Sequence, residues 1–171
     1  MRFKIIFVPI LILTLLFASC WNPFSLVNDA IFKPVTEKPD MTDLIGKYML
    51  DSFSIGFINS LEKYNEQVTS LELLPNGKLI LNNVPDIMFK FSEEIQYERL
   101  SYTGDWQIGK NIQDSTRYNL KIGINNYSER GGFATSLDLR EYKGQIGIWY
   151  FIGDPDSGDR FFFIKQSDSA N

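Results

Sequence analysis

Between Leu44 and Lys165, apolar and polar residues alternate with a period of two in run after run. That is the period of a β-strand with one face buried. Tyr118, Leu120, Ile122 and Ile124 fall on one face, with Arg117, Asn119, Lys121 and Gly123 assigned to water. Tyr102, Gly104, Trp106 and Ile108 share a face, as do Leu137 with Leu139, and Ile146, Ile148, Tyr150 and Ile152. Between these runs stand short turn signals. Pro75-Asn76-Gly77 supplies a fixed φ and then two residues that tolerate positive φ, and Lys143-Gly144 is a tight turn.

Two stretches break the pattern. Phe57, Leu61 and Tyr64 have helical spacing, which predicts a short helix near 57–67 lying over a barrel end. Residues 87–100 carry Met88, Phe89 and Phe91 and then Glu93, Glu94 and Glu98, and read as a loop or an irregular strand. The overall expectation is an all-β fold, an antiparallel meander of about eight strands closing into a barrel, with a β-sandwich as the alternative. The last two strands are apolar on both faces (Trp149, Phe151, Phe161, Phe162, Phe163), so some rings must lie outside the barrel, against the helix or under the preceding tether.

The N-terminus has a different logic. Arg2 and Lys4 precede an apolar run from Ile5 to Phe17, and Ala18 and Ser19 lead to Cys20, the single cysteine. This is the layout of an export signal, and the run is shorter than the roughly 20 residues a membrane-spanning helix needs. Phe17-Ala18-Ser19-Cys20 resembles the bacterial lipoprotein signal. The resemblance implies that residues 1–19 are removed, that Cys20 is acylated, and that the chain sits in the cell envelope, at the outer membrane of a diderm bacterium given Trp21 after the cysteine. Residues 20–43, with Pro23, Pro34 and Pro39, read as a lipidated tether, residues 44–167 as the barrel domain and 168–171 as a disordered tail.

Composition narrows function. Losing residues 1–19 removes Arg2 and Lys4 and no acid, so Lys plus Arg falls from 17 to 15 against 21 acids and the net charge moves from −4 to −6. An acidic domain does not seek phosphate backbones, so no nucleic-acid partner is expected. The chain has no histidine, and acylation would use its one cysteine. The usual nucleophile–histidine pairs and ordinary zinc sites are thereby excluded.

Gly46-Lys47-Tyr48 opens the domain, and Gly104-Asp105-Trp106 repeats its form. Together with the loop from Ile152 to Asp159, these segments resemble the lipocalin-like small β-barrel lipoproteins of bacteria. The resemblance implies a barrel and a tendency to bind apolar ligands, with no catalytic residue and no cofactor. Tyr48, Trp106, Tyr118 and Tyr150 are the candidate ligand-lining residues, and Trp149 and Phe151 could join them. Asp154, Asp156 and Asp159 are weak candidates for calcium, set against a simple Asp-stabilised turn. Glu93, Glu94 and Glu98 read as a solvated acidic loop rather than an acid/base pair. These features lead to a non-enzymatic, membrane-anchored binding or envelope-structural protein. The alternative is a protein–protein module or inhibitor subunit that makes contact through Trp149 and Phe151.

Overall fold

A computed structural model describes residues 30–61, 63–65, 67–90, 94–128, 131–153 and 159–167. The order of elements is β1 (Lys33–Pro34), α1 (Met41–Leu44), β2 (Gly46–Leu50), α2 (Ser52–Ser60), β3 (Ser70–Leu73) and β4 (Lys78–Pro85). A 3-10 turn at Asp86–Met88 follows, and then β5 (Arg99–Lys110), β6 (Tyr118–Ser128), β7 (Gly131–Tyr142), β8 (Gln145–Phe151) and β9 (Arg160–Lys165). From β2 to β9 each strand pairs antiparallel with the next, and β9 returns to β2 with Leu50 opposite Phe163. The meander therefore closes into an eight-stranded barrel of lipocalin-like form, and β1 is an extra strand on β7. Closure removes the unpaired edges a sandwich would keep.

The turns form where their residues permit. Gly77 has φ 73°, and Leu74 and Lys78 close the Pro75-Asn76-Gly77 hairpin. Lys143 and Gly144 both have positive φ, as a two-residue hairpin of the primed type demands. Gly104 marks a close approach between strands, because a Cβ there would sit 2.2 Å from the Gly123 carbonyl oxygen.

Eight strands enclose a space that side chains alone can fill. Leu71, Leu81, Leu120, Leu137, Ile148 and Phe163 point inward and are wholly buried. At the α1 end, Leu44 closes the core, and the Tyr48 hydroxyl donates to its carbonyl at 2.7 Å. At the α2 end the seal is aromatic. Phe89 packs on Tyr102 and Phe133, and the Tyr127 hydroxyl donates to the Phe89 carbonyl.

The helix lies earlier than the spacing of Phe57, Leu61 and Tyr64 predicts. Asp51 caps it by accepting from the Ser54 N–H, and it ends at Ser60. Tyr64 is drawn elsewhere, its hydroxyl donating to Asp86 at 2.7 Å. One outward assignment also changes, and a second polar strand residue behaves likewise. Asn119 and Arg140 are buried, the first beside Asn111 and the second beneath the chain that precedes β1.

Candidate functional site

The four sequence-predicted lining residues do not gather around one space. Tyr48 and Trp106 are core residues near the α1 end, 0% and 4% exposed. Their polar tips are already used, since the Trp106 indole N–H donates to the Leu74 carbonyl as the Tyr48 hydroxyl does to Leu44. Burial pushes the Tyr48 hydroxyl above the usual tyrosine range, and the nearby Asp43 charge adds to this. Tyr118 lies half-buried at the start of β6 under the Lys110 ammonium. Tyr150 lies toward the opposite end, paired with Phe161 on β9. Asp154 and Asp156 lie outside the described residues. Asp159 is half-buried, and its carbonyl accepts from the Ile152 N–H. Glu93 is outside the described residues, and Glu94 and Glu98 are exposed. Among the described residues no group of three acidic, cysteine or histidine side chains converges to hold a metal ion.

Some rings of the last strands do lie outside the barrel, but they are covered. Trp149 and Phe162 face outward and are buried, 2% and 0% exposed. Phe32, from the segment read as tether, closes over them. Its ring stacks on Tyr142 at 5.0 Å and meets Trp149 and Phe162 edge-on at 5.0 and 5.2 Å. The Arg140 guanidinium donates to the Phe32 carbonyl and pairs with Asp138. The chain then crosses β7, and Val35 slots between Leu139 and Tyr118. A second, smaller apolar cluster is thus built on the barrel's outside.

Arg160 joins this cluster to α2. Its guanidinium lies 4.0 Å from the Phe53 ring centre, 4.5 Å from Trp149 and 5.5 Å from Phe32. Burial presses its pKa below the ordinary arginine range, and Asp51 opposes that shift. Ser54 holds α2 to β9, its hydroxyl donating to Asp51 and accepting from the Phe162 N–H. On the far side of α2 an open groove of about 400 Å³ runs beside Met49, Ile55, Ile58, Val68 and Arg99. Phe53, Ile55 and Val68 are 47%, 47% and 65% exposed.

Sequence reasoning missed a polar knot that shapes the same end. Asp86 is fully buried and accepts from the Tyr64 hydroxyl and the Gln96 N–H, with the Lys90 ammonium at 3.3 Å. Burial pushes its carboxyl upward, but these bonds together hold it below the usual range. Arg99 spans Asn65, Thr69 and Asn83, filling the break in β4–β5 pairing between Leu81 and Val84. The shifted acids and phenols all move away from neutrality, Asp86 down and the tyrosines up. The chain matches no family model, no curated protein and no solved structure.

Proposed function

We propose that this protein is a lipid-anchored envelope module without enzymatic action, held at the membrane through Cys20 and working through the outside of its barrel. The observation that carries the reading is the filled interior. The inward side chains of every strand from β2 to β9 meet one another, and the Tyr48 hydroxyl and Trp106 indole N–H among them are spent on backbone carbonyls. Such an interior is a rigid core rather than a ligand chamber. The anchoring half of the reading rests on the basic start, the apolar run and the small residues before the single cysteine.

The test is metabolic labelling of the full chain with a clickable fatty acid in a diderm host, followed by membrane fractionation. Wild type is expected to carry label and pellet with membranes, and Cys20→Ala to lose both. An unlabelled wild-type chain with a titratable thiol refutes the anchor. Native mass spectrometry of the same preparation is expected to give the mass of the acylated chain alone.

A second reading has one observation in its favour. The groove beside α2 has a volume within the range of about 300–1,000 Å³ usual for small-molecule sites, and its walls are largely apolar. An apolar ligand seated there would appear as an added mass that Val68→Arg removes.

A further inference from the structure

We infer that the flank formed by α2 and the tether entry rests on the lipid bilayer that the anchor enters. The inference deepens the anchoring reading above and depends on it. Three observations converge on this flank.

The first is composition. Ser52–Ser60 contains no charged residue, in a chain where 22% of residues are charged. Its buried side carries Ser54 and Ile58. Its open side presents Phe53 and Ile55 at the two margins, with Ser52, Gly56, Asn59 and Ser60 between them. An open face of apolar margins and small neutral residues carries no charge to desolvate on entering the headgroup region. For an acidic protein near an anionic surface, a face free of acids is also the one least repelled. The Asp51 carboxylate beside it is turned onto Ser54, while Arg160 and Arg99 flank it on either side.

The second is position. Cys20 and Phe32 are twelve residues apart, which is about 40 Å at full stretch and less in any relaxed form. Phe32 is fixed on β8 and β9, so the segment leading from the anchor meets the barrel on that flank. Arg160 bridges Phe32 to Phe53 and so makes α2 its direct neighbour.

The third is continuity. Ile31, 51% exposed, adjoins Phe32 in sequence; Phe53 meets Arg160, and the exposed Ile55 and Val68 line one groove. Ile112, 90% exposed in the turn after β5, lies at the opposite end and serves as an internal control.

The test uses the full, acylated chain in phosphatidylcholine vesicles whose acyl chains carry bromine. Acylation leaves Cys20 without a free thiol, so Ile55→Cys and Ile112→Cys each offer a single site for a small fluorophore. Bromine is expected to quench the label at 55 severalfold more than the label at 112. Phe53→Glu, placed in the Ile55→Cys chain, is expected to relieve most of that quenching. Equal, weak quenching at both positions, in protein that floats with the vesicles, overturns this inference and leaves the anchor standing. Protein that stays off the vesicles with Cys20 titratable overturns both. A label at 55 that is unquenched by lipid but shielded on adding envelope extract assigns the flank to a protein partner instead.

Discussion

At the scale of single residues, a few buried polar groups tie distant parts of the chain together. Asp86 is the clearest, because one carboxylate organises Tyr64, Lys90 and the backbone at Gln96. Asp86→Asn keeps the shape and loses the charge, so it is expected to cost about 1–3 kcal/mol in urea unfolding near neutral pH. The pH dependence has a definite sign. The folded pKa is depressed, so the stabilisation is complete above the ordinary aspartate value of about 4 and is lost as pH falls through the lower folded value. Wild type should weaken in that window more than Asp86→Asn does. Gly147 makes the opposite point, that empty space can be specific. A Cβ there would lie 2.5 Å from the Phe162 ring, so Gly147→Val is expected to displace the ring and cost about 1–3 kcal/mol by the same measurement.

At the scale of elements, the segment before β1 carries the most information. Residues 20–43, with three prolines and no period, read as a linker, yet Phe32 buries Trp149 and Phe162, and Lys33–Pro34 adds a strand to β7. A single aromatic in an irregular stretch has no periodicity to betray it. Its partner surface is assembled from β7, β8 and β9, which only the folded sheet brings together. Phe32→Ala is expected to lower stability by about 2 kcal/mol, below the full-burial value because Phe32 is half-buried. It should also red-shift the emission of Trp149 as water reaches its indole. The helix tells a similar story. Phe57, Leu61 and Tyr64 suggested its place by spacing, but Asp51 and Ser54 fixed it by capping and by the bond to Phe162.

At the scale of the whole molecule, the barrel is closed by β2–β9 pairing and plugged at both ends, so Tyr48, Tyr64, Tyr102, Tyr127 and Tyr150 belong to one continuous core. Burial is the main cause that raises the pKa of Tyr48, Tyr64, Tyr102, Tyr127 and Tyr150. A raised folded pKa gives stability that is complete below the ordinary tyrosine value of about 10 and is lost as pH rises above it. Alkaline titration is therefore expected to show the tyrosinate absorbance of these five residues rising together with loss of near-ultraviolet ellipticity, in one cooperative step. Independent titration of the tyrosines in an intact fold would contradict this. Strand number, the two tight hairpins and the inward residues of β5 to β8 were legible in the order of amino acids, because period-two alternation and turn chemistry are local properties. The polar tips of Tyr48 and Trp106, the burial of Asn119 and Arg140, the choice of Phe32 to cover Trp149 and the exposed face of α2 were not. Each depends on which distant strands become neighbours when the sheet curls shut, and only the closed barrel sets those neighbours.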